Sequence, residues 1–205
     1  FFFQAEDGIR IYQCDWSSDV CSSDLSLTYG YGIPREDSLG NLFRVEGSYD
    51  VMDKSRPGKS NISIAVDTYR HYKEFDTIVL GFTYSARFGL EWGEQNIDFY
   101  PGFHQKGFGI DPERLDHASL QIYKYFYSVF GPPYSNNLSN MLVDTLVAFL
   151  ESQGKTVLPF AWENHQTQKK LFYPYIEPDL RLPDGHLNIE GTRHLFNLLQ
   201  DILDE

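Results

Sequence analysis

The stretch Asp76 to Thr83, DTIVLGFT, constrains this chain more than any other. It is an apolar, β-rich run of strand length without polar alternation, the pattern of a strand buried on both faces of a parallel sheet. Thr156 to Trp162 (TVLPFAW) is a second such run, despite Pro159. Helical spacing fills the intervals. Pro34 to Phe43 carries Leu39, Leu42 and Phe43, and a short extended piece follows around Tyr49 to Met52. The turn signal Ser55-Arg56-Pro57-Gly58-Lys59-Ser60-Asn61 opens a helix through Tyr72. His117 to Phe130 and Asn136 to Gln153 read as two further helices, the second with Leu138, Met141, Leu142, Thr145, Leu146, Phe149 and Leu150 on one face and a stop at Gly154. Glu190 to Leu203 closes the chain as an amphipathic helix. Strand, turn, helix and strand in succession define an α/β class.

Residues 84–116 interrupt this rhythm. They are rich in glycine, aromatics and charge with few periodic signals, and are expected to form a loop excursion over one rim of the sheet, a lid or substrate wall. The elaboration extends over about residues 84–135.

The first 25 residues read as foreign. Phe1 to Leu25 has no steady hydrophobic period and holds both cysteines of the chain, Cys14 and Cys21. Its ending, Ser22-Ser23-Asp24-Leu25, resembles a translated sequencing adapter, as does its FFFQAEDGIR opening. Residues 1–25 are therefore expected to be an artefact segment fused to a truncated gene, and stand outside the functional argument as a fusion scar does. On this reading the native first strand is lost or replaced, and the compartment is unreadable. Residues 26–205 form a single expected domain.

At 205 residues, with 41% hydrophobic and 22% charged, the chain has material for one proper core. A formal net charge of −12 argues against a nucleic-acid backbone or an anionic membrane surface as partner, because like charges repel. No apolar run reaches the roughly 18 residues of a membrane helix. A small neutral or cationic molecule fits better. The 14 Tyr and 16 Phe would line a carbohydrate-like groove, although core packing explains them more simply.

Two short blocks carry the chemistry. Ser26-Leu27-Thr28-Tyr29-Gly30-Tyr31-Gly32 sets a hydroxyl ahead of turn-forming residues, and a serine at a sharp bend between strand and helix is held with its Oγ exposed above the sheet. Leu182-Pro183-Asp184-Gly185-His186-Leu187-Asn188-Ile189-Glu190-Gly191 places a carboxylate and an imidazole on one turn before the last helix. A serine needs a base, and an imidazole serves best when a carboxylate fixes its tautomer.

Together the blocks resemble those of the SGNH (GDSL) hydrolase superfamily. Ser26, Leu27, Thr28, Gly30 and Gly32 match its nucleophile block, while Asp24 and Leu25 stand where Gly and Asp are usual. Asp184, His186, Asn188 and Gly191 match its C-terminal block. The resemblance implies a three-layer α/β/α domain of flavodoxin-like order with a mostly parallel sheet. It implies acyl-ester hydrolysis in which Ser26 attacks, His186 takes its proton and Asp184 orients His186, with carbohydrate O-acetyl esters the favoured substrates. An acyltransferase or a non-catalytic binding domain on the same fold are the alternatives.

The resemblance also implies an oxyanion hole, since such donors stabilise the charge that develops at the carbonyl oxygen. The Ser26 and Gly58 amides match two donors. Thr83 stands where the family carries Asn, in Gly81-Phe82-Thr83-Tyr84-Ser85-Ala86-Arg87. Arg87 is a candidate for a substrate carboxylate or phosphate, or for a surface pair with Glu91. Glu163 follows the strand ending at Trp162, at the carboxyl end where ligands of α/β sheets bind. His71, His104, His117, His165 and His194 show no metal-ligand spacing, and neither a metal nor another cofactor is expected.

Overall fold

The computed structural model describes residues 10–13, 30–47, 49–53, 55, 59–85, 87–92, 95–99, 121, 125, 131–162, 165–183 and 185–204. In chain order the elements are β1 (Arg10–Gln13), α1 (Leu39–Val45), β2 (Asp50–Asp53), α2 (Asn61–His71), β3 (Thr77–Phe82), β4 (Phe88–Trp92), β5 (Gln95–Phe99), α3 (Gly131–Ser152), β6 (Thr156–Ala161) and α4 (Ile189–Leu203). Short 3₁₀ turns cover Arg35–Asp37, Tyr72–Glu74 and Pro178–Leu180. The chain is mixed α/β with a small parallel sheet.

Four strands form that sheet in the order β2-β1-β3-β6, every pair parallel. All six residues of β3 are buried, and Ile78, Val79, Leu80 and Phe82 have no exposed surface. Because successive side chains point to opposite faces, both faces of this strand are covered, as its unbroken apolar run requires. Two helix pairs provide cover. Phe43 of α1 meets Phe196 of α4 edge to face at 5.0 Å between ring centres, and Phe149 of α3 meets Tyr72, just after α2, at 5.0 Å. Leu39, Ile64, Val143, Leu150, Leu195 and Leu199 are completely enclosed in the same core.

Pro159 is tolerated because of where β6 lies. It pairs with Leu80 in register, on the last strand of the sheet. Its carbonyl accepts from Phe172 N–H at 2.9 Å, so its nitrogen faces the same outer edge, away from β3. A residue without an N–H fits there and would break the ladder one position along.

Arg10–Gln13 holds the slot between β2 and β3, within the 25 residues that the sequence sets apart. Ile11 stands opposite both Val51 and Thr77. Strand pairing is made by main-chain N–H and C=O groups that any non-proline residue supplies, so a segment without hydrophobic period can still fill such a slot.

Residues 84–116 differ from the expected loop excursion. They contain β4 and β5, antiparallel, with Leu90 opposite Ile97 and Trp92 opposite Gln95. Phe88, Leu90 and Trp92, then Ile97 and Phe99, alternate on either side of Gly93-Glu94, a period-two signal that a search for continuous apolar runs passes over. Of the helix expected at 117–130, residues 121 and 125 are described and helical, and the others lie outside the described residues. Helix α3 begins at Gly131, not at Asn136. Pro132 and Pro133 fall in its first turn, where the N–H they lack has no helical partner anyway.

Candidate active site

His186 is presented by a short, tightly bonded loop. Leu182 N–H donates to the His186 carbonyl at 2.6 Å, and Gly185 N–H donates to the Leu182 carbonyl at 2.8 Å. Arg181 bridges to Leu187 in antiparallel fashion, and its guanidinium donates to the Gly185 carbonyl at 3.1 Å while lying 5.8 Å from the Trp162 ring centre. Asn188 then caps α4: its Oδ1 accepts from Gly191 N–H at 2.8 Å, and its Nδ2 donates to the Asp179 carbonyl at 3.0 Å. The Asn and Gly that follow the Asp-x-His run thus serve the start of the helix, which fixes the loop's exit.

The other block comes to meet this loop. After Gly30 the chain turns with Ile33 N–H donating to the Gly30 carbonyl at 3.1 Å, and Gly30 and Gly32 have φ of 77° and 83°. A Cβ at Gly32 would stand 2.8 Å from Leu182 Cδ1, so this turn is pressed directly against the histidine loop. Both its backbone conformation and that contact call for glycine. Tyr31, half exposed, lays its ring 4.9 Å from that of His186, tilted by 40°. The two blocks that the sequence separates by most of the chain are therefore neighbours.

At the carboxyl end of β3, Thr83 is fully enclosed. Its N–H donates to Asn61 Oδ1 at 2.9 Å, and its carbonyl accepts from Asn61 Nδ2 at 3.1 Å. Asn61 Nδ2 also donates to Ser139 Oγ of α3 at 2.7 Å. Beyond Thr83, Ser85 bonds to Asn136 at 3.1 Å, and the Arg87 guanidinium lies 5.5 Å from the Tyr84 ring centre.

Two buried charged groups border the same rim. Lys59, with no exposed surface, bonds through Nζ to Asp67 Oδ2 at 2.6 Å, and Arg70 reaches the other oxygen of Asp67 at 3.1 Å. Ser60 beside it caps α2, its Oγ accepting from Ser63 N–H at 3.3 Å. Asp53, the last residue of β2, accepts through Oδ1 from Ser55 N–H at 3.1 Å and from Ser55 Oγ at 3.0 Å. Arg35 Nη2 lies 3.6 Å from its Oδ2. Burial outweighs the Arg35 charge and the Ser55 bond, and pushes the Asp53 carboxyl up to about 7.

Of the residues singled out in the sequence, His186, Thr83 and Arg87 lie within the described residues; Ser26, Gly58, Glu163 and Asp184 lie outside them. His186 is joined to the Gly30–Ile33 turn, and Thr83 to Asn61. Among the other histidines, His194 is exposed on α4 and His71 pairs with Glu74 at 3.1 Å. His165 is buried, with Nδ1 3.2 Å from Asn140 Oδ1. Among the described residues no three His, Cys, Asp or Glu side chains converge as a metal site would require, and no helix is long and apolar enough to cross a membrane. A surface hollow lined by Asp144, Thr145, Ala148, Phe149, Gln168 and Lys169 touches none of the candidate residues.

Sequence reasoning missed Tyr31 as a neighbour of His186, and Asn61, which it counted only as part of a turn signal. A lone Asn at a helix start carries no mark of a partner 22 positions away. No known protein family, curated protein or solved structure matches the chain.

Proposed function

We propose that this protein is a serine esterase of the SGNH type that hydrolyses acyl esters, carbohydrate O-acetyl esters among them, on a three-layer α/β/α domain of flavodoxin-like order. The observation that carries the reading is the contact between the two blocks: the Tyr31 ring against His186, and Gly32 against Leu182. The strand order β2-β1-β3-β6 agrees with it, because flavodoxin-like sheets run 2-1-3 and bind ligands beyond the carboxyl ends of their strands.

In the proposed reaction Ser26 Oγ attacks the ester carbonyl carbon as His186 takes the hydroxyl proton, and the C=O pair moves onto oxygen. The Ser26 and Gly58 amides and the Thr83 hydroxyl stabilise that oxyanion. Collapse expels the alcohol, which receives the proton from His186. Water activated by His186 then releases the acid and restores Ser26. Asp184 holds the imidazole in the required tautomer. The substrate is a small-molecule ester, and neither a cofactor nor a nucleic acid takes part.

One observation favours a second reading. Thr83 is completely enclosed, and a site short of its third donor would bind an ester or sugar without cleaving it. Turnover of p-nitrophenyl acetate and of O-acetylated xylose by the wild-type chain, by Ser26→Ala and by His186→Ala decides between them. The esterase reading expects release of acetate that both substitutions abolish. Equal release from Ser26→Ala and wild type would overturn it.

A further inference from the structure

We infer that Tyr31 is a positioning residue for His186, whose ring walls one side of the imidazole and so limits the directions in which its nitrogens are presented. The inference rests on the esterase reading.

The main chain of His186 is fixed on both sides. Gly185 before it takes φ of 89°, the His186 carbonyl accepts from Leu182 N–H at 2.6 Å, and Leu187 after it is buried and bridged to Arg181. That leaves χ1 and the broad χ2 of the imidazole to be set by what touches the ring. The Tyr31 ring stands against it, 4.9 Å between centres and tilted by 40°, within the range of favourable aromatic pairs.

Tyr31 is itself held in place. It lies between Gly30 and Gly32, whose φ values are 77° and 83°. A Cβ at Gly30 would stand 3.0 Å from Ile33 Cγ1 and 3.3 Å from Ser38 Cβ, and one at Gly32 would stand 2.8 Å from Leu182 Cδ1. Ser38 is buried and caps α1, its Oγ accepting from Asn41 N–H at 3.4 Å. The tyrosine is thus carried by a turn wedged between the start of α1 and the histidine loop, and it cannot withdraw from the imidazole without moving one or the other. Half of Tyr31 is exposed, so its place is set by this turn and by the imidazole, not by enclosure in the core. The contact runs ring to ring, so phenylalanine keeps it, whereas a branched aliphatic side chain offers no flat wall. A base must meet the serine proton at one point in space, and a small misplacement there slows the reaction.

The test has two arms. In the first, the ring-proton NMR signals of His186 are assigned in the folded chain by their loss in His186→Gln. Tyr31→Ala should shift them, because the neighbouring aromatic ring current is gone, and Tyr31→Phe should leave them near their wild-type positions. The second arm is turnover of p-nitrophenyl acetate per active site, with sites counted by fluorophosphonate labelling so that unfolded protein does not enter. Tyr31→Ala should lower kcat by a factor on the order of 10 with KM within about twofold of wild type, and Tyr31→Phe should keep both within about twofold. Unmoved His186 signals in Tyr31→Ala would overturn the contact. Unchanged kcat in Tyr31→Ala, with or without a raised KM, or an equally low kcat in Tyr31→Phe, would overturn the positioning role. If Tyr31→Ala does not fold, Tyr31→Leu is compared with Tyr31→Phe: a slower Tyr31→Leu supports the role and equal rates overturn it. A wild-type chain without Ser26-dependent turnover overturns the esterase reading and the role with it, whereas Ser26-dependent turnover with an unaffected Tyr31→Ala overturns the role alone.

Discussion

Replacing Asp53 by Asn should turn a pH-dependent liability into a neutral one. Asp53 closes β2 with its side chain 7% exposed and is held by Ser55 on one oxygen, while Arg35, 3.6 Å from the other, is itself 46% exposed. A half-exposed guanidinium at that distance offsets only part of the cost of burying a carboxylate, and the folded protein holds this group at about 7, against about 3.9 in an unfolded chain. The sign follows from proton counting. Below about pH 4 both states are protonated and the contribution is fully present; from there to about pH 7 the folded state binds more protons, so stability falls as pH rises. About three units at about 1.4 kcal/mol each amount to a loss on the order of 4 kcal/mol, complete once pH has passed the folded value. Asparagine keeps an oxygen for Ser55 and carries no charge. Urea denaturation of wild type and Asp53→Asn from pH 4.5 to 8.5 at constant ionic strength isolates the effect as the difference between the two curves, which removes every other titrating group. The difference should move in favour of Asn by several kcal/mol between pH 4.5 and 7.5 and then level off. A flat difference, or one that moves in favour of Asp as pH rises, would refute the reasoning and mean that the Arg35 pairing outweighs burial.

Gly40, the second residue of α1, is expected to reject alanine: a Cβ there would stand 2.5 Å from Asp53 Oδ2, so Gly40→Ala should lose about 1–3 kcal/mol by overpacking, where an open helical site would gain. A raised urea midpoint would show that the contact is not made. Lys59→Met takes from Asp67 its fully buried ionic partner at 2.6 Å and should cost about 3 kcal/mol, while Lys59→Met with Asp67→Leu should recover most of it, since removing one partner of a buried pair is worse than removing both. Equal loss in single and double variants, measured by the same denaturation, would contradict that account.

What the sequence made legible follows from how local each signal is. The run at 76–83 announces β3 because burial on both faces leaves no room for polar residues, and all of β3 is buried. The run at 156–162 announces β6 as a strand, but as the last strand of the sheet it is only partly buried, with Thr156 exposed and Val157 and Pro159 half-buried. Helix α4 was legible from its spacing, and its true start one residue earlier, at Ile189, is set by the Asn188 cap. Strand β1 was not legible, because four residues paired through their backbone need no hydrophobic pattern. The β4–β5 pair carries a period-two pattern that glycine and charge interrupt, which hides it from a reading by continuous apolar runs. At the candidate site, the histidine loop and the glycine turn were readable as motifs, yet their contact through Tyr31 depends on the folded chain. Asn61 and Asp53 were invisible for the same reason: one answers a strand end 22 positions away and the other an arginine beyond the preceding helix.

The most direct measurement is fluorophosphonate labelling of the intact 205-residue chain, followed by peptide mapping of the adduct. The account predicts a single adduct at Ser26, formed by the wild type and lost in His186→Ala. A folded protein that takes no label, or one labelled at another serine with the reaction unaffected by His186→Ala, would contradict it.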